Sequence, residues 1–161
     1  MEAEDLQHLK FMKLAIALSK KNIKKSLGGP FGAVIVRNGE VISRSVNKVT
    51  DTFDPTAHAE ISAIRIASKK LRNFDLSDCV IYSSCEPCPM CLGAIYWSRI
   101  SKIYYANTRY DAADLGFDDK FIYDELDLPA EKRKLAAVQL LRNQALEVFK
   151  EWQKSGLKIL Y

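Results

Sequence analysis

Two short stretches constrain this chain more than anything else in it: His58-Ala59-Glu60 and, after 26 intervening residues, Pro87-Cys88-Pro89-Met90-Cys91. Imidazole and thiolate are ligands that suit zinc. Cys88 and Cys91 stand one helical turn apart, so both sulfurs can face one ion. Each ligand set opens a segment with helical spacing, over 58–71 with Ile61, Ile64 and Ala67 toward a core, and over 88–98. A fold that holds this sequence must bring two helix N-termini to one point. The partial positive charge of a helix N-terminus also favours the thiolate that metal binding needs.

Three protein ligands leave a fourth position for water, the arrangement of a catalytic zinc, and zinc lowers that water's pKa to about 7. Glu60 can point into the same cleft without ligating. A carboxylate there can take the water's proton and deliver it to a substrate. The competing reading is a closed structural site made of His58, Cys85, Cys88 and Cys91. It leaves Glu60 without a role and draws on Cys85, which precedes Pro87 and lies outside the helix that aligns the other two. Cys79 and Cys85 are read as packing residues, and His8 as a surface histidine.

Around these motifs the pattern predicts a first helix over 5–25, ended by Gly28-Gly29-Pro30. Two antiparallel strands follow, Phe31 to Val36 and Val41 to Val46, joined by the hairpin signal Asn38-Gly39. Further strands are expected at Cys79 to Tyr82 and Lys102 to Ala106, short acidic pieces over 107–130, and a final helix over 142–155. Residues 135–141 fit helix or strand equally. The order of elements implies a mixed sheet with helices packed on it.

The chain has 161 residues, enough for one domain, and its 48% apolar and 27% charged content excludes a disordered chain. No run of about 18 apolar residues exists to span a membrane. The N-terminus opens with Glu2, Glu4 and Asp5 and has no apolar h-region, so a cytoplasmic location is expected, where cysteines stay reduced. The net charge of +4 hides a division: the excess of Lys and Arg lies in residues 1–25 and 131–161, while 111–127 carry seven acids and one lysine. That acidic stretch would repel a phosphate backbone, and lysines scattered on a solvated helix face need no nucleic-acid partner.

Asp54-Pro55-Thr56-Ala57-His58-Ala59-Glu60, followed by the run from Ser84 to Arg99 with its Cys88-Pro89-Met90-Cys91, resembles the cytidine deaminase-like superfamily, whose H-x-E…P-C-x-x-C pattern it carries. Within it, Gly28 to Val36, Asp111-Ala112-Ala113, Gly116 to Asp119 and Phe121-Ile122-Tyr123 resemble the bacterial guanine deaminases. The resemblance runs from about residue 28 to 130. It implies an α/β fold, a three-layer αβα arrangement around a five-stranded mixed sheet. It also implies a single deaminase domain over 1–161 that pairs as a homodimer, with the C-terminal segment from about 131 exchanged in some members. The implied reaction is hydrolytic deamination of guanine to xanthine and ammonia.

Carried over by position, His58, Cys88 and Cys91 hold one Zn2+ and Glu60 shuttles protons. Asn47 matches a substrate-binding asparagine, Phe31 an aromatic that stacks on the base, and Ala57 a further substrate-binding position. Asp119 matches an acidic residue that contacts the substrate and assists proton transfer. Tyr161 resembles a terminal aromatic that closes the pocket. The rival readings are a tRNA adenosine deaminase, a deaminase of guanosine or another aminated heterocycle, and a non-catalytic zinc module.

Overall fold

Asn38 and Gly39 both take positive φ, 50° and 78°, the geometry of a two-residue turn whose twist matches its flanking strands. The expected hairpin stands around them: β1 (Gly32–Arg37) pairs antiparallel with β2 (Glu40–Val46). The coordinates are those of a computed structural model, which describes residues 3–156 and 159. β1 also pairs antiparallel with β3 (Cys79–Cys85), and β3 pairs parallel with β4 (Lys102–Asn107). The sheet is therefore mixed, in the order β2-β1-β3-β4.

Four strands stand where the residue pattern put them. The fifth strand implied by the family resemblance has no counterpart among the described residues. Residues 136–141 form neither helix nor strand. A strand persists only where a neighbour takes up its N–H and C=O groups, and among the described residues no strand pairs with this segment.

The chain divides into two compact units, Met1–Asp119 and Lys120–Tyr161. The first holds α1 (Ala3–Lys25), the sheet, α2 (Val49–Thr52), α3 (Ala59–Leu71), α4 (Pro89–Trp97) and α5 (Arg109–Ala113). β1 explains its layering. Ala33 and Ile35 point to one side, where they pack with Ala59, Ala63 and Ala67 of α3, Ile81 and Ile95. Val34 and Val36 point to the other, against Phe11 and Ala15 of α1 and Tyr82. A strand covered on both faces reads as a continuous apolar run, as the stretch from Ala33 to Val36 does. Alanines at 59, 63 and 67 recur every four residues and let the α3 backbone lie close to the sheet. Burying Val34, Ile35 and Ile81, all fully enclosed, contributes about 1.5–3 kcal/mol each.

The second unit holds α6 (Lys120–Leu126), a 3-10 turn at Ala130–Lys132 and α7 (Arg142–Lys154). Arg133 ties it together, donating from Nε to the carbonyls of Glu125 and Leu128, each at 3.0 Å. Phe149 and Trp152 of α7 are exposed. Among the described residues, no helix is long and apolar enough to cross a membrane.

His8 departs from expectation. It is half-buried rather than a surface residue: Nδ1 lies 2.6 Å from the Tyr82 hydroxyl and Nε2 3.1 Å from that of Tyr104. The two tyrosine rings stack at 5.1 Å. Its partners lie 74 and 96 positions away in sequence, so a pattern local to the first helix carries no trace of them.

Candidate active site

Each half of the metal motif sits at a helix start. His58 is the N-cap of α3, and Cys88 is the N-cap of α4, with Pro89 opening the helix. Proline suits that place because its missing N–H would have had no intrahelical acceptor. Both caps have extended backbone, with ψ of 159° and 168°, and neither side chain is spent on capping its own helix. The imidazole and thiol are thus free to turn toward each other. Cys91 follows in the first turn of α4 and is fully buried.

The His58 Nδ1 atom lies 3.5 Å from both Cys88 Sγ and Cys91 Sγ, and the three donor atoms all fall within 4.8 Å of one another. A tetrahedral zinc with Zn–S near 2.3 Å and Zn–N near 2.1 Å separates sulfur and nitrogen by about 3.6 Å. The cradle therefore fits zinc in donor type and in spacing. Its electrostatics agree. The Cys88 thiol is pulled down to about 4, first by a hydrogen bond from the Cys91 thiol and then by His58. Cys91 is pushed up by the same bond, and His58 is held above its ordinary value chiefly by Cys88.

Cys85 does not join the cradle. Its thiol donates to the Thr108 carbonyl at 3.5 Å and is pushed up to about 11, mainly by burial. A protonated thiol committed elsewhere is no ligand. Among the described residues the group numbers three, which speaks against the closed four-ligand site. Cys79 and Cys85 are both buried, as packing residues are.

Glu60 lies in the first turn of α3, only 5% exposed. Its Oε2 is 3.5 Å from Cys91 Sγ, and its Oε1 accepts a hydrogen bond from the Ser83 hydroxyl at 2.9 Å. Burial pushes its carboxyl above the usual range, against the Ser83 donation. A carboxyl so placed can both take and return a proton. Ser83 is a residue that the sequence reading missed. The available signal was a polar pair, Ser83-Ser84, in the buried strand β3.

Asn47 is buried at the end of the hairpin. Its Oδ1 accepts from the backbone N–H groups of Gly29 at 3.3 Å and Val49 at 3.1 Å. Two backbone donors settle which end of the amide is oxygen, so Nδ2 is the end left for a further partner. Gly28 allows this approach, because a Cβ there would sit 2.2 Å from Asn47 Oδ1. Asn22 of α1 supports the same turn, donating from Nδ2 to the carbonyls of Gly29 and Asn47.

The remaining candidates are placed as follows. Phe31 packs against the α3 side of the core and meets Phe117 edge-on, 5.0 Å between ring centres. Ala57 is buried beside His58, its N–H bonded to the Asp54 carbonyl and its carbonyl to the Lys48 N–H. Asp119 is partly buried. Burial raises its carboxyl, and the negative charge of Cys88 adds to that rise, so the two groups share one field. Tyr161 lies outside the described residues.

Residues 5–107 match the family described as the cytidine and deoxycytidylate deaminase zinc-binding region. The guanine deaminase of Bacillus subtilis (strain 168) is 48% identical over 156 residues, which span 97% of this chain and 100% of that protein. The X-ray structure of guanine deaminase from Bacillus subtilis superposes with a TM-score of 0.92 at 47% identity, over 100% of this chain and 99% of that one. A tRNA-specific adenosine deaminase of Buchnera aphidicola is 46% identical over 96 residues, only 59% of this chain and 58% of that protein. Likeness to the tRNA-specific adenosine deaminase stops short where likeness to the guanine deaminase runs end to end, and so this chain belongs to the zinc-binding cytidine deaminase family and, within it, stands with the guanine deaminases.

Proposed function

We propose that this protein hydrolyses guanine to xanthine and ammonia. The observation that carries the reading is the buried Glu60 carboxyl, held by Ser83 and set beside a three-ligand zinc cradle. His58, Cys88 and Cys91 would hold the ion, and when bound it supplies the Lewis acidity that makes water nucleophilic near neutral pH.

The chain's own groups do the rest. Guanine offers acceptors at O6 and N7 and donors at N1 and the 2-amino group. Asn47 Nδ2 donates to the acceptor edge, since Oδ1 is already taken by Gly29 and Val49. Asp119, an acceptor, meets the donor edge. Phe31 stacks on the ring, Ala57 lines the pocket beside His58, and Tyr161 closes it. Glu60 takes the proton released as water adds to C2 and passes it to N3. The C2 hydroxyl then gives up its proton, which passes through Glu60 or Asp119 to the amino nitrogen; the C2 carbonyl forms, the C2–N bond breaks and ammonia leaves.

The protein acts as a homodimer in the cytoplasm, a compartment that keeps its four free cysteines reduced. Tyr96 and Trp97 of α4, both largely exposed, support pairing through the helix that carries the metal motif. The single deaminase domain spans 1–161, and its segment from about 131 is exchanged between protomers. The apolar residues that this segment exposes, Val138, Leu140, Phe149 and Trp152 among them, support the exchange.

Zinc-loaded protein mixed with guanine should release ammonia and xanthine, and Glu60→Gln should abolish the release while keeping zinc. Inosine formed in a tRNA anticodon stem-loop, with no ammonia from guanine, would replace this reading with the tRNA enzyme. Guanosine in the same panel tests the nucleoside as substrate.

A further inference from the structure

We propose that the first unit carries a second ligand site, for a phosphorylated small molecule of nucleotide type, in a cavity of about 310 Å3 beside the edge strand β2. Lys21 and Lys25 reach it from α1, Arg44 from β2, and Lys48 from the loop that follows. Among the described residues no acidic side chain lines it, and none of the four cations has an ion-pair partner. Lys21 and Lys25 lie four apart on α1, on one face of the helix.

Lys21, Lys25 and Arg44 are exposed to solvent. A cleft lined by one sign of charge concentrates its field on a phosphoryl group. Arg44 adds a planar fork that can engage two phosphoryl oxygens at once. Leu18, Leu27 and Ile66 complete the wall, an apolar surface of use to a nucleoside and of none to bare phosphate. A concave site of this volume suits a small molecule, at the lower end of the usual pocket range of about 300–1,000 Å3.

None of His58, Glu60, Cys88 and Cys91 lines this cavity. It is nonetheless tied to the turn that carries Asn47. Asn22, on its wall and 1% exposed, holds the Gly29 carbonyl at 2.8 Å and the Asn47 carbonyl at 2.9 Å. The Oδ1 of Asn22 is buried with no hydrogen-bond partner among the described residues. Val46 and Lys48, on either side of Asn47, are also wall residues. A ligand drawn onto Lys48 therefore biases the Asn47 turn, and base and anion alter each other's affinity by one common factor. This coupling rests on the reading of Asn47 as a base-binding residue; the binding of the anion does not.

Isothermal titration of full-length, zinc-loaded protein with ADP tests the site, with adenosine as the uncharged control and zinc content measured afterwards. ADP should bind saturably and adenosine should not. Lys21→Gln combined with Arg44→Gln should weaken ADP binding roughly tenfold or more, with the unfolding temperature and the turnover of guanine in the absence of ADP unchanged. Three results would overturn the site: no ADP binding at millimolar concentration, equal binding by the double variant, or tighter binding of a single-stranded RNA oligonucleotide than of ADP. ADP should also shift the KM for guanine. A protein that binds ADP with that KM unmoved would overturn the coupling alone, and absent guanine turnover with intact ADP binding would overturn the activity and leave the site standing.

Discussion

Replacing Ser83 by alanine isolates one hydrogen bond in the candidate active site. The Ser83 hydroxyl donates to Glu60 Oε1 at 2.9 Å, Ser83 is fully buried and Glu60 is 5% exposed, so water cannot stand in for the lost donor. The other carboxylate oxygen faces Cys91 Sγ, and a thiolate bound to metal has no proton to give. With zinc in place, Ser83 is thus the one side-chain donor that these contacts leave to Glu60. A hydrogen bond to a charged group contributes about 1.5–3 kcal/mol. At 1.36 kcal/mol per factor of ten in rate, loss of that orientation should lower kcat/KM for guanine by about 10–150-fold. The assay is steady-state ammonia release, run beside a zinc determination and a thermal melt. Zinc should stay at the wild-type level, because Ser83 touches none of the three ligands. A variant within twofold of wild type would refute the positioning role. A variant that loses its zinc would refute it too, by showing that Ser83 assembles the cradle rather than aiming the carboxylate.

Three further outcomes are expected. Gly28→Ala places a Cβ 2.2 Å from Asn47 Oδ1. It should raise the KM for guanine by about 10–100-fold with zinc retained, and an unchanged KM would remove Asn47 from base binding. Ile81→Ala empties a fully buried position between the sheet and α3. It should destabilise the protein by about 2–5 kcal/mol in urea unfolding, and a loss well under 1 kcal/mol would mean that the position is not the closed core described. Finally, Asp54, Asp75 and Asp111 are held below the ordinary 3.8 by hydrogen bonds from Thr56, Ser77 and Thr108. A folded pKa below the unfolded one gives stability that is present above the unfolded value and lost as pH falls through the folded value. The melting temperature should therefore drop below about pH 4, and less steeply when the three are replaced by asparagine. An equal drop in that variant would contradict the assignment.

Residues 28–107 were largely legible because their signals are local. Asn38-Gly39 fixes a hairpin by the φ values that two residues can adopt. The continuous apolar run from Ala33 to Val36 announces a strand covered on both faces. His58-Ala59-Glu60 and Cys88-Pro89-Met90-Cys91 mark helix starts and a ligand set in one reading, since both depend on spacings of four residues or fewer. The fifth strand was different in kind: it rested on likeness to a family, and 136–141 carry no pattern that chooses strand over helix.

The sequence by itself determined which residues could bind a metal, where the four strands and the helices that carry the metal motif stand, and that a carboxylate would stand near the ligands. Tertiary structure alone decided what each polar group faces. Register between β1 and β3, and the packing of α3 on both, bring Ser83 to Glu60 across 23 positions. The backbone N–H groups of Gly29 and Val49, both turned on Asn47, decide which end of its amide is left to donate. The same folding turns His8 inward between two tyrosines and collects Lys21, Lys25, Arg44 and Lys48 around one cavity. Periodicity and turn chemistry act over a few residues, whereas these contacts depend on the relative placement of whole elements, which no short window of sequence contains.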